Sequence, residues 1–210
     1  MIVEKLIGTG SGITSGHAKA PKKAEHPIAN QNWVEASQVN AAFSIRHDGS
    51  SIYLYYKVEE PQVRAVNTGF NSPVWEDSCV EFFIFFDGDD GYYNFEINAI
   101  GTVLGAFGKD RHKRLHLPDS FLSRIETIPS LGRDPIENLD EKTNWELQIV
   151  IPMETFHFSR IDTLSGMDAH ANFYKCGDKL KQPHFLSWKP VLCSTPDFHT
   201  PRYFGQLSFL

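Results

Sequence analysis

PVWEDSCVEFFIFFDGDDGYYNFEIN, residues 73–98, contains two alternating apolar runs on either side of a turn rich in Asp and Gly. This pattern predicts a β-hairpin, because successive side chains of a strand point to opposite faces of its sheet. The apolar positions of both runs must share the core-facing side, which fixes the parity of their pairing. These positions are Val80, Phe82, Ile84, Phe86, Tyr93, Phe95, Ile97 and Ala99.

The other face of this hairpin would carry acids, amides and aromatic rings together. A two-residue turn at Asp89 and Asp90 satisfies the parity and pairs Glu81 with Asn98, with Glu96 on the same face. Acid and amide side chains bond hydroxyl groups, and flat aromatic rings cover the C–H faces of a sugar. The sequence therefore predicts that this face binds a neutral, polyhydroxylated ligand.

Short strands separated by turn signals recur along the rest of the chain, and no helical period of useful length appears. This arrangement predicts an all-β fold, an antiparallel β-sandwich with long loops. Residues 8–32 lack periodicity, so residues 1–32 are expected to form an irregular N-terminal arm, with the sandwich over residues 33–210. Further strands are predicted at residues 42–46, 51–59, 103–107, 124–128, 144–151, 171–175, 185–188 and 205–209.

The charge of the chain argues against two classes of partner. Its 20 basic and 26 acidic residues give a net charge of −6, which disfavours nucleic acid and anionic membrane surfaces. No apolar run is long enough to span a bilayer, so no membrane insertion is expected. The N-terminus lacks a signal-peptide pattern, which leaves two compartments open: the cell interior, or an exported location after removal of a leader.

The three cysteines have no spacing that is typical of a zinc site or a disulfide framework. Cys79 lies within a strand pattern and is expected to be a small buried hydrophobe. Cys176 and Cys193 could pair, but the sequence does not require it.

Two tryptophans are candidate stacking platforms for a ligand. Trp75 lies in a loop after Pro73, where an indole ring has no obvious apolar surroundings; the alternative is a core plug at the strand start. Trp188 lies between a strand signal and Pro190 and fits binding and core packing equally. Trp145, in contrast, is in register with a core stripe and is expected to be buried.

Four segments occur in an order that resembles a known family. They are WEDSCVEFFI at residues 75–84, NWELQIVIP at 144–152, SWKP at 187–190 and RYFGQLSF at 202–209. Together they resemble carbohydrate-binding module family 9, a member of the wider group of DOMON-like β-sandwiches. The resemblance covers residues 33–210 and implies non-catalytic binding of a mono- or oligosaccharide or of a polysaccharide chain end.

The resemblance also implies roles for individual residues. Trp75 and Trp188 would clamp the sugar ring between them, and Glu81 would accept a hydroxyl hydrogen bond. The role of Asn98 beside Glu81 follows from the predicted pairing and not from the family. The insertion at residues 108–142 and the Phe-rich strand depart from the family pattern and leave the sugar specificity open.

Structural calcium is a further implication of the resemblance, although no cofactor is required for binding. Asp87, Asp89 and Asp90 are its candidate ligands in the hairpin turn. The EF-hand pattern fails, since Asn98 occupies the position of the closing Glu. A solvated Asp/Gly turn is the alternative.

The segment KDRHKRLH at residues 109–116 is expected to be a mobile basic loop. If it folds over the binding face, Arg111 could meet the carboxylate of a uronic acid. A zinc site at His112 and His116 is the alternative, but the surrounding cations would repel a metal ion.

Two further functions remain as alternatives. The first is a glycoside hydrolase, which would use Glu81 with Glu96 or Glu146 because that chemistry needs two carboxyl groups, or else an accessory protein of carbohydrate catabolism. A haem- or redox-binding sandwich would need an axial Met or His on the ligand face. Met1, Met153 and Met167 are poorly positioned for that role.

The Gly-rich residues 8–12 are similar to a dinucleotide-binding loop. This interpretation fails because no helix is predicted to follow them.

Overall fold

The computed structural model describes residues 1–6 and 24–210. The Gly-rich residues 8–12 lie outside the described residues. The described chain is almost entirely β-structure, with one four-residue α-helix and three short 3-10 turns, at Val74–Glu76, Met153–Thr155 and Pro201–Tyr203. The elements are β1 (Ile2–Val3), β2 (His26–Pro27), β3 (Asn30–Gln31), β4 (Asn40–His47), β5 (Ser51–Glu60), β6 (Val63–Ala65), β7 (Cys79–Phe86), β8 (Tyr92–Asn98), β9 (Val103–Gly108), β10 (Arg114–His116), α1 (Asp119–Leu122), β11 (Glu126–Pro129), β12 (Ile136–Leu139), β13 (Thr143–Pro152), β14 (Asp168–Cys176), β15 (Phe185–Ser187) and β16 (Gly205–Phe209).

Two sheets form the sandwich. The first has the order β1-β16-β14-β7-β8-β9-β10, with β15 and β3 joined to β14, and the second has the order β11-β13-β5-β4-β2. β12 pairs with β6 in a separate two-stranded ladder. Within residues 1–6 and 24–210, every strand ladder is antiparallel except the one between β1 and β16. The predicted antiparallel β-sandwich is therefore confirmed.

The main core lies between the two sheets and follows the predicted alternation. Trp145 is completely buried there, as expected from its core stripe. Phe43 of β4 and Phe173 of β14 stack across the sandwich with ring centroids 3.6 Å apart. Burial of side chains of this size contributes roughly 2–3 kcal/mol each, which makes this layer the main source of stability.

The β7–β8 hairpin has the predicted parity but not the predicted register. Glu81 pairs with Glu96, and Asn98 pairs with Cys79, two positions from the expected partner. The connection between the two strands is longer than two residues, because Asp89 forms a local turn with Phe86. Its carboxylate accepts a hydrogen bond from the Phe86 amide at 3.0 Å, and its amide donates to the Phe86 carbonyl. The core stripe is unaffected, since a shift of two residues preserves the facing side.

The ends of the expected N-terminal arm belong to the sandwich. β1 pairs with β16, and Val3 is fully buried in the main core. β2 extends the second sheet beside β4, and β3 pairs with β15. In its described parts, the segment of residues 1–32 is therefore not a separate irregular arm.

The segment of residues 108–142, expected to be loop-like, contains β10, α1, β11 and β12. Of these, β11 lies close to the strand predicted at residues 124–128. In the described part of the chain, no helix has the length and apolar character needed to cross a bilayer.

A second, smaller core lies on the outer face of the first sheet. It contains the β7 and β14 side chains that point away from the main core, among them Phe83 and Tyr174. Residues 191–204 cover this face, and Phe198 stacks on Tyr174 with a centroid distance of 4.0 Å. Where this cover meets the start of β7 and the end of β14, an open pocket remains.

Candidate functional site

The pocket on the outer face has a volume of about 260 Å³ and two tryptophans in its lining, Trp33 and Trp75. Trp75 is presented by the 3-10 turn that precedes β7, and its side chain packs partly against the second core. Trp33 is held by a hydrogen bond from its indole nitrogen to the Cys193 carbonyl at 2.7 Å and by ring contacts with Phe198. Two partly exposed indole rings in one pocket are suited to stacking on a sugar ring.

Two buried carboxyl groups form the floor of the pocket. Glu81 and Glu96 are cross-strand partners with 3% and 2% of their surface exposed. Burial raises the pKa of Glu96 to about 7, against the opposing influence of Arg114. Burial, and next the charge of Glu96, raise the pKa of Glu81 well above its usual range. A carboxyl group held protonated can donate as well as accept a hydrogen bond, which suits a ligand hydroxyl.

Asp178 adds a third carboxyl group to the lining from the turn that follows β14. Burial raises its pKa to about 6, and the charge of Arg111 opposes that rise. The backbone of this turn is tied to the tryptophan turn, because the Asp178 amide donates to the Trp75 carbonyl at 3.2 Å. Asp178 and Trp75 are therefore held in a fixed relation at one side of the pocket.

The basic segment folds over the pocket as part of the β9–β10 hairpin. Arg111, His112 and Arg114 all contribute to the lining, so the expectation that Arg111 reaches this face agrees with the structure. His116, in contrast, lies in β10, where it pairs with Ala106 of β9. Unlike His112, it does not line the pocket.

Arg114 is anchored through His199. Its Nη1 lies 2.8 Å from His199 Nδ1, and the Tyr92 hydroxyl lies 2.8 Å from the same ring nitrogen. Burial, and next the neighbouring Arg114, lower the pKa of His199 to about 2. The ring is therefore neutral at ordinary pH and acts as a hydrogen-bonding support for Arg114 and not as a second cation.

Trp188 does not line this pocket. It packs against the main core, with T-shaped contacts to Phe43 and Phe173 at 5.9 and 5.6 Å. Lys189 lies over its ring with a distance of 4.2 Å to the centroid. The predicted clamp of Trp75 with Trp188 is therefore wrong, because the two rings lie on opposite faces of the first sheet.

Asn98 is fully buried and serves as a structural anchor. Its side-chain amide donates to the Asn67 carbonyl at 2.8 Å and to Asp77 Oδ2 at 2.9 Å. Its carbonyl oxygen accepts from the Thr102 amide at 2.9 Å. Both N–H donors of Asn98 are used inside the protein, its side chain is fully buried and it does not line the pocket, so the predicted role in binding a ligand hydroxyl is wrong.

Asp77 is the centre of that anchor. It is fully buried, accepts hydrogen bonds from the amides of Val66 and Asn67, and forms an ion pair with Arg64. These bonds fix the chain immediately after Trp75. Asp77 and Asn98 therefore act on the pocket by holding the turn that presents Trp75.

The three aspartates of the β7–β8 turn do not converge on a common point. Asp89 is engaged by the Phe86 amide and by the Ser159 hydroxyl at 2.8 Å, and Asp87 lies 3.6 Å from His170. Among the described residues, three ligand atoms come within 4.8 Å of one another at Cys79, Glu81 and Cys176 and not at Asp87, Asp89 and Asp90. The three carboxylates therefore do not form a cluster by themselves, and structural calcium at this turn stays a prediction.

Glu146 lies in the second sheet, where it pairs with Lys57 and is exposed. It cannot act together with Glu81, which lies in the pocket of the first sheet. Of the two carboxyl pairs expected for hydrolysis, only Glu81 with Glu96 shares a site.

The lining residues that were not identified from the sequence include Trp33, Arg114, Asp178 and His199. Trp33 and His199 come from segments without strand periodicity, more than 160 residues apart in the chain. Only Arg114 had a signal, since it lies in the basic segment with Arg111.

A second cavity, of about 250 Å³, lies apart from the tryptophan pocket near Gln62 and His184. Its polar side chains bond one another: Gln62 donates to Asp140 at 3.0 Å, and Lys181 forms an ion pair with the same aspartate. It offers no aromatic wall and is a weaker candidate for sugar binding.

The model of carbohydrate-binding family 9 matches residues 17–209. No curated protein matches the chain. A crystal structure from Bacteroides uniformis ATCC 8492, of a protein to which carbohydrate binding has been assigned provisionally, is 39% identical, with a TM-score of 0.90. The alignment covers 100% of this chain and 98% of that one.

Two solved structures of a family 9 module from Caldicellulosiruptor kristjanssonii have the same fold. The complex with glucose is 15% identical, with a TM-score of 0.57, and the complex with cellotriose is 16% identical, with a TM-score of 0.52. Both alignments cover all of this chain, and they cover 95% and 92% of the other chains.

Proposed function

Because the chain belongs to carbohydrate-binding family 9, a family of non-catalytic sugar-binding modules, we propose that its sugar site is the pocket between Trp33 and Trp75. The observation that carries this assignment is the pair of partly exposed indole rings beside polar groups in one pocket. The rings would stack on a pyranose ring, while Glu81, Glu96 and Arg111 would bond its hydroxyl groups.

The size of the pocket supports a short ligand. A volume of about 260 Å³ suits a single sugar unit more than a long chain segment, so the ligand would be a monosaccharide, a short oligosaccharide or the end of a polysaccharide. Glucose and cellotriose are the first ligands to test, since a structurally similar module has been solved with each.

Calorimetric titration of the whole chain with glucose and cellotriose tests the assignment. Trp75→Ala and Trp33→Ala are each expected to weaken binding by about tenfold or more, which corresponds to about 1.4 kcal/mol. Glu146→Gln is the matched control, because this exposed glutamate lies in the other sheet. Wild-type affinity in both tryptophan variants, in a protein that binds sugar, would place the site elsewhere.

We also propose that the pocket binds its ligand without cleaving it. A glycosidase needs two carboxyl groups that reach the scissile bond from its two sides, whereas Glu81 and Glu96 are direct cross-strand partners with only 3% and 2% of their surface exposed. Each is also engaged within the protein, Glu81 by Cys176 and Glu96 by Asn94. Release of nitrophenol from aryl glycosides by the wild type, abolished in Glu81→Gln, would contradict this part of the proposal.

A further inference from the structure

Two thiols and a carboxyl group converge at the base of the pocket. Cys79 and Glu81 are two residues apart on β7, so their side chains point to the same face. Cys176 of β14 is the direct cross-strand partner of Cys79. The three side chains therefore meet, with Cys176 Sγ 3.0 Å from Glu81 Oε1 and all three ligand atoms within 4.8 Å of one another.

This geometry is close to that of a metal site. Zinc binds thiolate sulfur at about 2.3 Å and carboxylate oxygen at about 2.0–2.2 Å, which puts the ligands of a tetrahedral ion roughly 3.3–3.8 Å apart. Ligand atoms that already lie within 4.8 Å of one another need to shift by only about 1 Å to reach those separations. Two sulfur ligands favour a soft, thiophilic cation over calcium or magnesium.

Burial and charge support the same conclusion. The three residues are 0–3% exposed. Among the described residues, no Lys, Arg or His nitrogen lies within 4.0 Å of the Glu81 carboxyl group, whose side-chain partner is the Cys176 thiol. An ionised carboxylate without a cationic partner is costly to bury, so Glu81 stays protonated in the metal-free protein, and a divalent cation would offset the cost of its ionisation.

The surroundings can balance the charge of a loaded site. Two thiolates and one carboxylate around a divalent ion leave a net charge of −1, and Arg114 and Arg111 line the same pocket. Lys175, next to Cys176 in the chain, points to the other face, where it pairs with Glu60 at 2.9 Å. The ammonium group therefore does not compete for the position of the metal.

We propose that Cys79, Glu81 and Cys176 bind one thiophilic divalent cation of the zinc and cadmium class. Glu81 and Cys176 also line the sugar pocket, so the fourth coordination position faces that pocket and takes water or a ligand oxygen. Binding breaks two S–H bonds and the carboxyl O–H bond, forms two metal–sulfur bonds and one metal–oxygen bond, and releases three protons to solvent. The metal keeps its oxidation state. The proposal does not depend on sugar binding.

Titration of the reduced, full-length protein with Cd²⁺ and with Co²⁺ tests the site. The expected result is a thiolate-to-metal charge-transfer band that saturates at one metal per chain. Cys79→Ser and Cys176→Ser should each abolish this band at one equivalent. Cys193→Ser is the matched control and should retain it, because Cys193 is not part of the cluster.

Two outcomes would overturn the proposal. One is the absence of a charge-transfer band in the wild type at excess metal, including the case in which Cys79 and Cys176 form a disulfide instead. The other is an unchanged band in the Cys79→Ser/Cys176→Ser double variant. Where a serine variant does not fold, X-ray absorption of the wild-type cadmium complex decides the question, since the site requires two sulfur ligands per metal.

Discussion

Trp75 and Trp188 lie on opposite faces of the first sheet, Trp75 against the second core and Trp188 against the main core. The two rings therefore cannot hold one sugar between them. Trp33 is the indole that shares the pocket with Trp75. This relationship separates the residues that we propose to bind a ligand from those that stabilise the fold.

Trp188→Ala is expected to reduce stability and to leave sugar affinity nearly unchanged. Because Trp188 is only partly buried against the main core, we expect a loss of about 2 kcal/mol, less than for a fully buried aromatic ring. Urea denaturation measures the loss of stability, and calorimetry with glucose measures the affinity. A Trp188→Ala variant of normal stability that no longer binds sugar would show that this ring belongs to the site after all.

Asp77→Asn should weaken both the fold and sugar binding. The new amide group would face the donors that Asp77 now accepts from, including the Asn98 side chain and the Asn67 amide. Loss of buried hydrogen bonds to a charged group costs about 3 kcal/mol. The turn that presents Trp75 would loosen, so the affinity for sugar should fall as well.

The control for Asp77→Asn is Asp134→Asn, at an exposed position away from the pocket. Denaturation and calorimetry on both variants separate a general charge effect from loss of the anchor. Equal stability of the two variants would contradict the role that we assign to Asp77.

Stability should fall as the pH is lowered below about 6.5, in part because of His184. This ring is buried beside the Lys175 ammonium group at 2.8 Å, and burial, followed by Lys175, lowers its pKa from 6.5 to about 3. Between these values the unfolded chain binds a proton that the folded chain does not, so acid favours unfolding. The contribution of one such group reaches at most about 1.4 kcal/mol per pH unit.

His184→Gln should show a shallower decline of unfolding free energy between pH 6.5 and pH 4 than the wild type. His116→Gln, at an exposed position, is the matched control and should follow the wild-type slope. Chemical denaturation at a series of pH values gives these slopes. Parallel curves for wild type and His184→Gln would rule out this origin of acid sensitivity.

Gly108→Ala should displace the basic hairpin and reduce sugar affinity. An added Cβ at this position would meet the Lys113 carbonyl and the Arg114 Cα closer than van der Waals contact allows. Overpacking of this kind costs about 1–3 kcal/mol, and here the strain falls on the hairpin that carries Arg111 and Arg114.

Gly69→Ala is the comparison for Gly108→Ala, because a Cβ at residue 69 meets no atom within 4 Å. Calorimetry should find near-normal affinity in Gly69→Ala and reduced affinity in Gly108→Ala. Unchanged binding in both would show that the position of the hairpin does not matter to the ligand.

The alternation of the sequence was sufficient to predict the two faces of the hairpin, because parity survives any shift of two residues. The register itself depends on the local turn that Asp89 closes, and a count of residues between strands could not reveal that turn. Glu81 and Glu96 were placed on the correct face, but their direct pairing was missed.

The residues that line the pocket were harder to predict, since they come from distant parts of the chain. Trp75 was identifiable from its loop next to a strand. Trp33 and Trp188 could be told apart only by the tertiary contacts, the Cys193 carbonyl in one case and Phe173 in the other. A single sequence contains no signal for such long-range packing.

The segment that covers the second core is expected to be less protected against amide exchange than the strands beneath it. Residues 191–204 contain a single 3-10 turn and no strand, and they pack on the second core, with Phe198 on Tyr174. Segments with few ladder hydrogen bonds open at a lower free energy than sheet interiors. This cover also carries Phe198 and His199 to the pocket, so a bound ligand would slow amide exchange there first, while the strands beneath stay protected with or without it.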